Sequence, residues 1–124
     1  MGKRARERFG RSGREPGESF RTVRLQELIR EELNFLLRGE LRDPRLDGVT
    51  FTMVELSSDG SRARAWFAAK SEADEIGALE ALEGAATFLR RDLAESLGLK
   101  RTPELRFRRD PVSRLLAPGS KEVL

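Results

Sequence analysis

From Ala78 to Leu97, apolar side chains recur at spacings of three and four: Leu79, Leu82, Ala86, Leu89, Leu93 and Leu97. That period places them on one helical face able to lie against a sheet. Phe88 falls outside it, sitting roughly 145° from the centre of the stripe at about 100° per residue. A straight helix would expose Phe88; a change of axis just before it would not. Gly84 and Thr87 are poor helix formers, each costing up to about 1 kcal/mol relative to Ala. A kink over Gly84-Ala85-Ala86-Thr87 is therefore expected, with Gly98 ending the helix.

The same patterning sets out the rest of the chain. Leu25, Leu28, Ile29, Leu33, Leu36 and Leu37 form the stripe of a helix over Phe20–Arg38, with Ser19 as candidate N-cap and Gly39 as candidate C′ residue. Residues 40–48 read as a loop turning at Asp43-Pro44, because proline restricts both its own φ and the residue before it. Val49–Ser57 is β-branched and aromatic, hence a strand, and Ser58-Asp59-Gly60-Ser61 is a hairpin turn. Across Arg62–Lys70, Ala63, Ala65, Phe67 and Ala69 alternate with Arg62, Arg64, Trp66 and Ala68, predicting a half-buried strand. Ser71 or Asp74 opens the next helix, and Thr102-Pro103 leads into a strand over Glu104–Arg108 with Leu105 and Phe107 facing in. The order α-β-β-α-kink-α-β predicts an α+β layer, with helices on one face of a three-stranded sheet.

Composition narrows the chemistry. The 124 residues suit one domain with tails. There is no Cys and no His, which removes disulfides, the usual zinc sites and the common nucleophile–base pairs. No cofactor and no metal site is expected. Nothing approaches the apolar length of a membrane span or a signal-peptide core, so a cytoplasmic protein is expected. Residues 1–19 are rich in Arg, Gly and Glu with Phe9 as their one large apolar side chain, and are expected to be disordered. Their Gly10-Arg11-Ser12-Gly13 spells an RNA-clamping GXXG but lacks the flanking packed helices that loop requires. From Pro111 to Leu124 a flexible tail is expected; Leu115 and Leu116 are candidates to dock, and Gly119-Ser120-Lys121 has the wrong order for a P-loop.

Charge is distributed unevenly. Residues 71–83 hold five acids and no base, whereas residues 90–114 hold eight Lys or Arg against four acids. The positive end of this step lies at the bend, an arrangement suited to a phosphate backbone. The candidate RNA-binding residues are Arg90, Arg91, Lys100, Arg101, Arg108 and Arg109, with Arg42 and Arg45 extending the basic rim. Trp66 is a candidate stacking platform for a base, although a strand Trp also commonly covers a core edge. The competing reading of the charges is an ordinary solvated surface.

Several blocks in order then carry a resemblance: Arg21-Thr22-Val23-Arg24, Asp43-Pro44-Arg45-Leu46, Val49-Thr50-Phe51-Thr52 through Glu55, Ala85-Ala86-Thr87-Phe88-Leu89-Arg90, and Arg101-Thr102-Pro103-Glu104-Leu105 followed by Phe107 and Asp110. From about Phe20 to Asp110 the chain resembles the ribosome-binding factor A family of bacterial small-subunit maturation factors. The resemblance implies a type II KH-like RNA-binding domain over residues 20–110, whose GXXG loop is replaced by an Ala-X-Gly helix kink. Ala85, Ala86 and Thr87 fall on that kink, with Thr87 where Gly is usual, and the Pro-Gly-interrupted C-terminus also departs from the family's pattern. It further implies binding to the immature small ribosomal subunit and its rRNA and a role in late maturation and 5′-end processing; a monomer is expected. Release by a partner GTPase and importance for growth in the cold belong to the same implication.

Two rival functions fit the same residues. One is a protein-interaction module, using a sheet edge or the acidic 72–83 segment, whose arginines only solubilise it. The other is a carboxylate-based nuclease built on Asp43, Asp47, Glu55 and Asp59, which lie on or beside the first strand without metal-site spacing.

Overall fold

Ser19 accepts a hydrogen bond from the Thr22 amide at 3.0 Å and so caps helix α1, Phe20–Gly39. In this computed structural model, residues 19–110 are described. Apart from Ser19, the expected disordered segment 1–19 lies outside the described residues, as does 111–124. With them go the expectations for Phe9, the Gly10–Gly13 motif, Leu115, Leu116 and Gly119–Lys121.

Helix α1 buries Ile29, Leu33 and Leu36, one face of its stripe. Gly39 is not the left-handed C′ residue expected: among the described residues only Gly48, Gly60 and Gly98 have positive φ. The helix closes instead through the Glu40 and Leu41 amides, which both donate to the Leu36 carbonyl at 2.9 and 3.0 Å. Asp43 then accepts from the Arg45 amide at 2.9 Å, holding a single 3₁₀ turn, Pro44–Leu46, that buries Leu46.

Strands β1 (Thr50–Leu56) and β2 (Arg62–Ala68) pair antiparallel, and β3 (Glu104–Arg109) adds parallel to β2, giving sheet order β1-β2-β3. A β-bulge falls between Phe51 and Met53, so Phe51 and Val54, three residues apart, both face the core. In the hairpin turn, Asp59 Oδ1 accepts from the Ser61 amide at 3.0 Å and from the hydroxyls of Ser57 and Ser61 at 2.8 Å each, while Gly60 takes φ 75°. These donors, led by Ser61, pull the Asp59 carboxyl down to about 2.

Ser71, rather than Asp74, opens helix α2 (Glu72–Gly84), accepting from the Asp74 amide at 3.2 Å. Helix α3 (Ala86–Leu97) follows after one intervening residue and ends at Gly98, φ 64°. Leu82, Leu89 and Leu93 are fully buried against Phe51, Phe67 and Leu33, and the Phe51 and Phe107 rings meet at 6.2 Å between centroids. Among the described residues this is an α+β fold of three α-helices and a mixed three-stranded sheet, in the α-β-β-α-kink-α-β order of a KH-like domain.

Candidate nucleic-acid interface

The bend between α2 and α3 is a single residue. Ala85 takes φ −93° and ψ 1°, while Ala86 and Thr87 already belong to the first turn of α3. The Ala85 amide is shared between the carbonyls of Ala81 and Leu82 at 3.0 and 3.1 Å, and its own carbonyl accepts from the Leu89 amide at 2.9 Å. Backbone hydrogen bonding therefore runs through the turn of the axis. Leu89 and Leu93 reach the core after the bend, yet Phe88 remains 38% exposed.

Charge divides at this point. Of the five acids on α2, Glu72, Asp74, Glu80 and Glu83 are exposed. The fifth, Glu75, is only 2% exposed and accepts from Arg109 Nη1 at 3.0 Å. Past the bend, Arg90 donates from Nε to the Pro103 carbonyl and from Nη2 to the Thr102 carbonyl, both at 3.1 Å. That clamp brings the lead-in to β3 onto α3, and with it Lys100 and Arg101. Arg91, Lys100 and Arg101 are exposed and have no hydrogen-bond or ion-pair partner among the described residues.

The eight basic residues singled out in the sequence thus form three groups rather than one face. Arg90, Arg91, Lys100 and Arg101 gather around α3 and the start of β3. Arg108 and Arg109 lie at the far end of β3, about 13 and about 17 Å along an extended strand from Glu104. Arg108 projects from the sheet, its Nη1 near only the Phe107 carbonyl at 3.4 Å. Arg42 is exposed and unpartnered among the described residues. Arg45 lies against Gly77 of α2, paired with Asp43 at 2.7 Å and Glu80 at 3.6 Å, so much of its charge is already compensated.

One feature was only half visible in the sequence. Alternation places Arg62, Arg64 and Trp66 on the outer face of β2, but the register with β3 is what sets Arg106 beside Arg64 and Arg108 beside Trp66. Arg64 lies 6.0 Å over the Trp66 ring, and Trp66 Nε1 donates to Glu55 at 3.3 Å. Residue spacing within one strand carries no information about its neighbour's register.

The carboxylates considered for catalysis are each engaged otherwise. Asp43 holds Arg45, Asp47 lies 3.3 Å from Lys70, Glu55 lies 3.4 Å from Arg64, and Asp59 braces the hairpin. Among the described residues, no group of three or more acidic side chains is placed to hold a metal ion. Where α1 meets α3, a hydrogen bond to Asp92 and partial burial push the Glu32 carboxyl up. Among the same residues no helix is long and apolar enough to cross a membrane.

A profile of the family described as ribosome-binding factor A matches residues 21–115. Among curated relatives, ribosome-binding factor A of Thermomicrobium roseum is 43% identical over 93 residues, covering 74% of this chain and 72% of the relative. Its counterpart from Magnetococcus marinus is 40% identical over 97 residues, covering 77% and 79% respectively. The crystal structure of ribosome-binding factor A from Thermus thermophilus aligns with a TM-score of 0.66 at 32% identity, over 78% of this chain and 99% of that one. A homology model of the Thermus thermophilus factor, fitted into the cryo-EM map of a 30S complex, aligns with a TM-score of 0.63 at 34% identity, over 73% and 97%.

Proposed function

The chain belongs to the ribosome-binding factor A family, and from that premise we propose that it is a non-enzymatic assembly factor that binds the immature small ribosomal subunit. The observation that carries this reading is the set of unpartnered cations beside the bend: Arg91, Lys100 and Arg101, held together by the Arg90 clamp. Cations free of internal carboxylates can displace counterions from phosphates, and that release supplies most of the affinity. The fixed bend at Ala85 lets two helices follow a folded rRNA junction, so preference comes from shape more than from base readout. The 30S complex of the similar Thermus thermophilus factor supports the same partner.

On this reading the protein works in the cytoplasm as a monomer, assists late folding and 5′-end processing of small-subunit rRNA, and is released by a GTPase. The test is sedimentation of the tagged protein with cell extract on a sucrose gradient at low and moderate salt. Comigration with free small subunits, but not with translating ribosomes, is expected, and should weaken as salt rises. Protein remaining at the top of the gradient even at low salt would overturn the reading. A second reading, a protein-interaction module, has its own support in α2, where Ile76 is 69% exposed among the acids. It predicts no salt-dependent affinity for RNA.

A further inference from the structure

The helices cover one face of the sheet, and among the described residues nothing covers the other. That open face has an ordered centre. Trp66 stands in the middle strand with its ring orientation set by the Nε1 hydrogen bond to Glu55 and by Arg64 at 6.0 Å. Register places Met53, which is 45% exposed, on one side of it and Arg108 on the other. Arg62 lies on the same face, about 13 Å along the strand from Trp66.

Charge decides what such a face takes. Its acids, Glu55 and Glu104, are already close to Arg64 and Arg106 at 3.4 and 3.2 Å. Neither Arg62 nor Arg108 forms an ion pair within 4.0 Å among the described residues; Arg62 acts through space on the Asp59 carboxylate of the hairpin turn, and Arg108 meets only the Phe107 carbonyl. The face therefore offers two guanidinium groups outside any ion pair, Arg108 and the partly balanced Arg62, around an oriented indole. An aromatic ring flanked by exposed arginines matches unpaired nucleotides: the base stacks on the ring, while the phosphates on either side meet the arginines. A regular duplex keeps its bases stacked internally and presents none to the indole.

We infer that the open sheet face is a second RNA-binding surface, which takes a short single-stranded segment with one base stacked on Trp66 and flanking phosphates on Arg62 and Arg108. This goes beyond the contact made beside the helix bend, and it rests on the reading of the chain as an RNA-binding protein.

The chain contains one Trp and no Tyr, so its intrinsic emission reports on Trp66. The full-length protein is titrated with a short oligouridylate, following both tryptophan emission and the anisotropy of a labelled oligonucleotide. The expected result is saturable quenching that tracks the anisotropy, with an affinity that varies with salt at a log–log slope of about −1.4, as for two phosphates on a single strand. Trp66→Leu should weaken anisotropy-detected binding about 5- to 150-fold, while Trp66→Phe retains most of it. Arg62→Glu with Arg108→Glu should abolish the quench, whereas Arg91→Glu with Lys100→Glu should leave it in place.

Anisotropy that rises with no change in emission, or a duplex that competes as well as the single strand, would overturn the inference. So would the absence of any oligouridylate binding by protein that still sediments with small subunits, and in that case the proposed function would stand. Saturable quenching by protein that fails to sediment with small subunits would support the sheet surface and remove the subunit-binding reading.

Discussion

Asn34 on α1 and Phe51 on β1 are joined by two reciprocal hydrogen bonds: Asn34 Nδ2 donates to the Phe51 carbonyl at 3.0 Å, and the Phe51 amide donates to Asn34 Oδ1 at 2.8 Å. The carboxamide presents the donor and acceptor that another strand's backbone would have presented. Two turns earlier on α1, Gln26 Oε1 accepts from the Leu56 amide at 2.9 Å. Strand β1 is an edge of the sheet. A helix thus satisfies edge groups that would otherwise be available to pair with another chain.

Asn34→Leu is expected to destabilise the protein by about 1–3 kcal/mol, because both Phe51 groups lose their partners in a partly buried site. Urea unfolding measures the loss. Sedimentation velocity should also show stronger concentration-dependent association than the parent protein. Unchanged stability would mean that water replaces the carboxamide without cost.

Arg90 and Arg91 are neighbours with different expected roles. Arg90→Glu should cost about 1–3 kcal/mol by removing charge-assisted bonds to the Thr102 and Pro103 carbonyls, and small-subunit binding should fall with it. Arg91→Glu should leave the unfolding midpoint within about 0.5 kcal/mol of the parent and still weaken binding. Denaturant curves and gradient sedimentation on the same preparations separate the two effects. Equal losses of stability would remove the distinction.

Asp59 gives the hairpin a pH dependence. Its folded pKa of about 2 lies below the ordinary 3.8, so its carboxylate stabilises the folded state fully above about pH 4. That contribution declines as pH falls through the interval between the two values and is gone below the folded pKa. Asp59→Ala should therefore melt at lower temperature than the parent at neutral pH, and the two should converge near pH 2. Thermal melts across this range provide the check, and a difference independent of pH would contradict it.

The axis turns at Ala85, and Thr87 lies inside α3 without positive φ, so residue 87 is an ordinary helical position rather than the hinge the resemblance implied. Thr87→Gly should cost a few tenths of a kcal/mol, up to about 0.5, as expected for an exposed helical site. It should leave subunit binding unchanged, as measured by unfolding and by gradient sedimentation. A large gain in binding would show that residue 87 controls the bend.

Much of the fold is legible because it is local. Ser19 and Ser71 cap helices through residues three positions away, Gly98 stops α3 through its own φ, and Ala63, Ala65 and Phe67 follow the pleat. Local pattern fails where the partner is distant. The Thr52 bulge shifts the inward positions of β1, and Gly39 yields to ordinary helical closure on the Leu36 carbonyl. The candidate site shows the same division. Clustering of arginines along the chain is plain, but their partners are not: Glu75 lies thirty-four positions from Arg109, and the carbonyls held by Arg90 lie twelve and thirteen positions on. Which cations remain free for a phosphate is decided by tertiary packing.

The parallel pairing of β2 with β3 also sets an order of events. The β1–β2 hairpin can form as soon as residues through Ala68 are available, because its connection is a tight turn. Strand β3 can dock only after α2, the Ala85 bend and α3 have carried the chain back along the sheet. Closing that long crossover costs chain entropy before any of its contacts are gained. During synthesis, one side of β2 therefore stays open until β3 has emerged, so among the described residues the last strand to be made is the one that completes the sheet.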